Sequence, residues 1–268
     1  MIQTGVTQTG TIRRLVFWLL AGTVTVALTT LAFFPVAWLA AMVETQTAGR
    51  LTLGDAQGTL WRGSAFVGGA ASGSDAITPL LPGRFAWQLS PLVLLGQVKA
   101  ELENPAALSQ PVTVSGSWTQ WLVSPASIAL PAERLAALGA PLNTLQPSGQ
   151  MRLSWEPLQL ARLDGTVEIS GTMHLAMEDI ASRLSPIKPL GSYDLMLAWQ
   201  GRQAAVTLKT VKGAMLLSGS GVFSNGRLQF SGAAEAAAGQ EEQLANLLNL
   251  LGQRRTEGNR NIIALEFK

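Results

Sequence analysis

The chain contains no cysteine, one histidine and one tyrosine among its 268 residues. Without cysteine the fold has no disulfide, and neither thiol chemistry nor a cysteine-based metal site is available. His174, the single histidine, stands on the polar side of an alternating segment and has no companion ligand or nucleophile in the sequence. We therefore expect no metal site and no cofactor.

Sequence motifs for nucleophilic catalysis and phosphate binding are lacking too. No serine lies in a G-x-S-x-G elbow, and no glycine-rich loop ends in Lys-Ser or Lys-Thr. Glu101 and Glu103 share one face of a predicted strand and could act as an acid and a base. Lys99 lies on the same face, which favours a solvated polar edge. We expect no catalytic residues, and a cell-wall hydrolase is the interpretation with the least support.

Charge is scarce, and its one imbalance lies at an end of the one long apolar run. Only 13% of residues are charged, and Leu15 to Met42 contain no Asp, Glu, Lys or Arg. Arg13 and Arg14 directly precede this run, and they account for the whole net charge of +2. The rest of the chain is formally neutral, so it has no electrostatic footprint for nucleic acid.

The apolar run is long enough to cross a membrane. About 20 apolar residues span roughly 30 Å of hydrocarbon, and basic residues stay on the cytoplasmic side. We predict a cytoplasmic N-terminus at 1–14, a transmembrane helix at 15–41 with Pro35 late in it, and an exported region at 42–268. A cleaved signal peptide is the alternative, although its apolar region is shorter and ends in a small-x-small site.

The exported region alternates between apolar and polar residues, which is typical of β-strands with one buried face. The clearest segment is Thr166 to Met177. Turn residues agree with this pattern, because Asp164-Gly165 and Asn225-Gly226 favour the positive φ angles of tight hairpins. Consecutive hairpins predict an antiparallel meander.

Two short helices interrupt the predicted sheet. Pro131 to Leu138 begins with proline at a favourable position, and Gln240 to Leu251 carries leucines at helical spacing. A weaker helical turn is predicted over Glu178 to Leu184. The fold class is mainly β: a single N-terminal transmembrane helix, then an elongated, curved antiparallel sheet with two short helices. A division into two lobes near Asn104 to Pro111 is the alternative.

Trp61 and Arg62 form a candidate partner contact close to the membrane. Tryptophan and arginine are favoured anchors of protein interfaces. The alternative is a core tryptophan beside an arginine whose aliphatic stem lies along the surface. Sequence alone assigns no exposed face, so both interpretations stay open.

The chain resembles the type II secretion system protein N family. Four stretches carry the resemblance: Gly58 to Gly63 (GTLWRG), Leu130 to Gly149 leading into Met151 to Trp155, Pro189 to Tyr193 (PLGSY), and Leu216 to Gly232 followed by the Leu244 to Gly252 helix. Together with the short basic start and the single apolar run, the likeness covers nearly the full length.

This resemblance implies a non-enzymatic inner-membrane protein of a Gram-negative bacterium, with most of its mass in the periplasm. Its partners would be other components of the machine that exports folded proteins, together with the lipid bilayer. The later half is also similar to the terminal repeats of AsmA-type proteins, whose curved sheets form an open groove. The alternative function is therefore lipid handling, with lipid bound in an open β groove.

Overall fold

The structure is a computed structural model that describes residues 8–47, 49, 51–69, 78–138, 142–257 and 260–267, and every structural statement below refers to these residues. The helices are α1 (Gln8–Ala32), α2 (Ala37–Gln46), α3 (Leu142–Leu145) and α4 (Glu241–Leu251), and 3₁₀ helices cover Pro91–Leu95 and Ala132–Leu138. The strands are β1 (Leu51–Gly58), β2 (Arg62–Gly69), β3 (Thr78–Pro79), β4 (Phe85–Leu89), β5 (Gln97–Glu103), β6 (Val112–Ser117), β7 (Gln120–Val123), β8 (Ala126–Pro131), β9 (Pro147–Trp155), β10 (Leu158–Leu163), β11 (Thr166–Ser182), β12 (Gly191–Gly201), β13 (Gln203–Gly213), β14 (Met215–Ser224), β15 (Arg227–Ala236), β16 (Gln253–Glu257) and β17 (Arg260–Phe267).

The apolar run forms two helices instead of one. Helix α1 ends at Ala32, before the predicted end of the span at residue 41, and α2 begins at Ala37. Pro35 lies between them, where its ring and missing amide prevent the helix from continuing. The predicted single helix over 15–41 is therefore shorter in the structure, with α2 as a separate element.

Helix α1 is the element of the described chain that is long and apolar enough to cross a membrane. Its stretch Arg14–Ala32 has 19 residues with a mean hydropathy of 2.0, and none of it is buried in the fold. Its threonine hydroxyls donate to carbonyls four residues earlier, as Thr25 does to Ala21 at 2.8 Å. Such bonds satisfy the hydroxyls within the helix, which suits an apolar environment.

The strands form one antiparallel meander that does not close on itself. Most consecutive strands pair, but β9 pairs with β8 and β11, and β10 pairs with β7 and β11. Strand β17 pairs with β15 and carries β16 at its other edge. The long strand β11 pairs on one edge with β10 in its first half and with β9 in its second half. The predicted mainly β, antiparallel fold is confirmed, and the strands on both sides of Asn104 to Pro111 belong to the same sheet.

Both predicted tight turns are present. Asp164 and Gly165 have φ angles of 49° and 77°, and Asn225 and Gly226 have φ angles of 52° and 76°. Positive φ at both central positions is the geometry of a type I′ turn, whose twist matches that of the flanking strands. The two turns join β10 to β11, with Leu163 opposite Thr166, and β14 to β15, with Ser224 opposite Arg227.

Helix α4 covers one end of the apolar sheet face. Leu244, Leu247 and Leu248 are buried in a cluster that includes Ala234 of β15 and Ile263 of β17. The predicted leucine stripe is confirmed. The predicted helix at Pro131 to Leu138 is present as the 3₁₀ helix Ala132–Leu138, and the 3₁₀ helix Pro91–Leu95 and α3 were not predicted.

The helical turn predicted over Glu178 to Leu184 is wrong. Strand β11 continues to Ser182 and accommodates this segment with an irregularity between Met177 and Ile180, where Asp179 has a φ of 49°. The Asp179 carboxylate pairs at 3.1 Å with the ammonium of Lys212, which lies on β13 beyond β12. Pairing on both edges of β11 outweighs the local helical preference of this short segment.

Candidate functional site at the junction of helix and sheet

The segment between α1 and α2 is joined to the turn between β1 and β2 by backbone hydrogen bonds. The amide of Leu60 donates to the carbonyl of Phe34 at 2.9 Å, and the amide of Val36 donates to the carbonyl of Gly58 at 3.4 Å. The Val36 side chain is buried against this turn. The helix break that Pro35 imposes thus becomes an attachment point for the sheet.

The turn that receives this segment depends on two glycines. Gly58 has a φ of +92°, and a Cβ there would lie 2.4 Å from the carbonyl oxygen of Arg62. At Gly63 a Cβ would lie 2.4 Å from the Trp87 ring and 2.8 Å from the Thr59 carbonyl oxygen. No side chain fits at either position without movement of the backbone or the ring, so this geometry needs both glycines of GTLWRG.

Trp61 ties the turn to the end of α1. Its indole N–H donates to the carbonyl of Leu31 at 2.8 Å. Within a helix that carbonyl would accept from the amide of residue 35, which is a proline and has no N–H. The Trp61 indole therefore supplies the donor that Pro35 lacks, across 30 residues of sequence.

A second tryptophan braces the same turn. The Trp87 indole donates to the carbonyl of Leu60 at 3.1 Å, and the Trp87 ring packs over Gly63. The amide of Leu89 donates to the carbonyl of Trp61 at 2.7 Å, which fixes the turn to β4. The junction is therefore held by backbone pairing and by two indole donors.

The structure separates the two candidate contact residues. Trp61 is half-buried and bonded within the chain, whereas Arg62 is exposed at the start of β2. Among the described residues the Arg62 guanidinium has no ion-pair partner, and it lines a cleft with Lys99 and Glu101. The partner contact stays a prediction, with Arg62 as its accessible member.

Sequence reasoning missed the bond between Trp61 and Leu31. The signal that could have found it is the proline four residues after Leu31, which leaves a carbonyl without its helical donor. A tryptophan in the first tight turn after the helix was a candidate donor. Its partner depends on how the chain folds back.

The predicted orientation residues lie in the first turns of α1. Arg14 is exposed, and the side chain of Arg13 lies outside the described part of the structure. The opposite end of α1 meets the sheet through Leu31. The helix therefore has its basic residues at one end and the folded sheet at the other.

Other titratable groups within the described ranges form no metal cluster of three or more ligands. His174 is half-buried in β11, and Glu101 and Glu103 are exposed at alternate positions of β5. Burial raises the pKa of Tyr193, whose hydroxyl donates to the Met215 carbonyl at 3.1 Å in the core. That bond satisfies the hydroxyl and gives Tyr193 a structural role.

Comparison with known families gives one match over most of the chain. The family described as Type II secretion system (T2SS), protein N, matches residues 49–262. This range begins just after α2 and includes the GTLWRG turn, the strands from β1 to β16 and helix α4. Comparisons with curated proteins and with solved structures found no match.

Proposed function

The chain belongs to the type II secretion system protein N family, and we propose from this that it is a non-enzymatic, single-pass inner-membrane component of that machine. In this proposal its N-terminus is cytoplasmic and its sheet makes periplasmic protein contacts that support assembly or operation of the apparatus. The observation that carries the proposal is the tie between α1 and the sheet through Trp61 and Leu31.

The dimensions of α1 support the membrane anchor. Nineteen residues at about 1.5 Å per residue span roughly 28 Å, close to the ~30 Å hydrocarbon thickness of a bilayer. Arg13 and Arg14 at the start of α1 favour a cytoplasmic N-terminus. The junction at the other end of α1 would then hold the sheet at a fixed distance from the membrane.

Arg62 is the residue through which we propose that a secretion partner contacts this junction. It is exposed, it carries a guanidinium suited to a carboxylate or a backbone carbonyl, and it lies beside the membrane end of the sheet. Such a position suits another membrane-anchored component of the machine. The part of that component that contacts Arg62 would lie at the same distance from the bilayer as Arg62 itself.

The test is export of a folded periplasmic substrate in cells that lack this chain, with the other components present and limiting. We expect deletion to reduce the substrate in the medium and the wild-type chain to restore it. The R62E variant should restore it poorly, whereas R227E should restore it fully, because Arg227 is the exposed first residue of a distant strand. Unchanged export after deletion would contradict the secretion role, and equal rescue by both variants would contradict only the Arg62 contact.

Lipid handling is a second candidate, because the apolar sheet face extends beyond α4. Directly opposite positions of five strands carry aliphatic side chains that are each half-buried, namely Ile128, Leu153, Leu175, Leu195 and Leu208. With strands about 4.8 Å apart, this row is roughly 19 Å long. An acyl chain is one ligand that would fit along it.

Photocrosslinking in intact cells separates the two candidates. A photoreactive residue at Leu175 should capture phospholipid if the row binds acyl chains, and one at Val222, exposed on the opposite face, should not. Equal labelling of both positions, or none, would contradict lipid handling.

A further inference from the structure

The 3₁₀ helix Pro91–Leu95 presents leucines to the surface in a fixed conformation. The hydroxyl of Ser90 accepts from the amide of Leu92 at 3.3 Å, and Gly96 closes the turn with a φ of 93°. Leu92, Leu94 and Leu95 are exposed, and Leu95 is 80% exposed. With three residues per turn, Leu92 and Leu95 lie on the same side of the helix.

Trp118 enlarges this apolar surface and holds it in place. It lies between β6 and β7, and its indole donates to the carbonyl of Val93. The ring nevertheless remains 58% exposed. The sequence from Leu89 to Val98 carries no charged residue, and its exposed leucines together with Trp118 form an apolar surface.

The position of this surface relative to α1 indicates what covers it. Pro91 lines the same cleft as Ala32 and Phe33, the residues at the end of the apolar helix. A 3₁₀ helix rises about 2 Å per residue, so Leu95 lies within roughly 8 Å of Pro91 along its axis. The headgroup region on each side of a bilayer has a similar depth, about 5–8 Å.

We propose that Pro91–Leu95 and Trp118 form a second membrane contact, inserting into the outer leaflet of the phospholipid bilayer beside α1. This proposal rests on the membrane anchor proposed above, because α1 sets the height of Pro91. Tryptophan is favoured in the headgroup region, because its ring is apolar while its N–H can still form a hydrogen bond. Lys99, exposed on the wall of the same cleft, carries an ammonium group that suits a lipid phosphate.

The contact has a consequence for the orientation of the sheet. Because the sheet is joined to the end of α1 at several points, it tilts together with that helix, and a second contact at Leu95 would limit the tilt. The long edge-to-edge direction of the sheet would then have a fixed angle to the bilayer. A fixed angle presents the same strands to every partner that is anchored in the same membrane.

The absence of cysteine makes this surface accessible to single-site labelling. The full-length chain is reconstituted at a low protein-to-lipid ratio in phospholipid vesicles, with an environment-sensitive fluorophore on L95C, V24C or V211C. Val24 lies within α1, and Val211 is 68% exposed on β13, far along the sheet. Spin-labelled lipids then quench each probe according to its depth.

We expect the probe at L95C to be blue-shifted and quenched at least twofold by lipids labelled near the headgroup, and the probe at V211C to be unquenched. Introducing L94E should abolish most of the quenching at L95C. If V24C is quenched by deep labels and L95C behaves as V211C, the second contact is wrong and the anchor stands. If V24C is unquenched as well, the anchor itself is wrong. If a thiol reagent labels L95C in vesicles but not in cells, a protein partner covers this surface, and the proposal is wrong.

Discussion

Two residue types at the junction, proline and tryptophan, have complementary chemistry. Pro35 removes an amide that the carbonyl of Leu31 would accept from, and Trp61 provides an indole N–H in its place. Near a membrane an unsatisfied carbonyl is more costly than in water, since few water molecules replace the missing donor. The pair therefore allows a helix break without an orphan acceptor.

The W61F variant should destabilise the junction by about 1–3 kcal/mol, because it leaves the Leu31 carbonyl without a donor. In a P35A background the new amide can donate to Leu31, so W61F should cost less there. Thermal unfolding of the full-length chain in micelles measures all four variants of this cycle. Trp38 is exposed and serves as the control in W38F; equal effects of W61F and W38F would contradict the role of the indole.

Gly58 and Gly226 both have positive φ angles, and they differ in the space around them. An alanine at Gly226 meets no atom within 4 Å, whereas one at Gly58 would clash with the Arg62 carbonyl. We expect G226A to cost about 1–2 kcal/mol through backbone strain alone. G58A should cost about 1–3 kcal/mol more through the clash. Urea unfolding measures the difference, and equal costs would count against the close approach at Gly58.

At the scale of elements, α4 is the helix that closes one end of the apolar sheet face. Leu244 has no exposed surface, whereas Leu250 on the same helix is 67% exposed. Truncation of a buried leucine removes packing and leaves a cavity, while truncation of an exposed one removes little. The two leucines therefore form a matched pair within one element.

L244A should lower the free energy of unfolding by about 2–5 kcal/mol, and L250A by less than about 0.5 kcal/mol. Chemical denaturation followed by tryptophan fluorescence measures both. A similar loss in the two variants would mean that α4 does not pack on β15 and β17 through its leucine stripe.

Element types were predictable wherever a pattern repeats locally. Alternation in β11 and the two Gly-containing turns give strands and hairpins from residues adjacent in sequence. The helical turn predicted over Glu178 to Leu184 was wrong because pairing of β11 with β9 and β12 overrides the local pattern. The 3₁₀ helix Pro91–Leu95 was missed since five residues are too few for a periodic signal.

At the scale of the whole molecule, the proposed function depends on which side of the membrane holds the sheet. Arg13 and Arg14 are the charges at the start of α1, and the far end of the helix carries every strand. The positive-inside tendency acts on residues close to the helix end, so this pair should decide the orientation.

The R13E/R14E variant should reduce the fraction of chains with a periplasmic C-terminus, and R13K/R14K should keep it unchanged because lysine retains the positive charge. A C-terminal alkaline phosphatase fusion, which is active only outside the cytoplasm, reports this fraction. Full phosphatase activity in R13E/R14E would show that other features orient the chain, and low activity in the unaltered chain would contradict the proposed topology.

The sequence by itself determined the apolar helix, the β-strands and their tight turns, because each follows from a pattern of residues close along the chain. Only the tertiary structure decided that Trp61 bonds to Leu31, that Arg62 stays exposed, and that Pro91 lies beside the end of α1. Those placements join residues 30 or more positions apart. They depend on how the sheet folds back toward the helix, and no local pattern in the sequence predicts that arrangement.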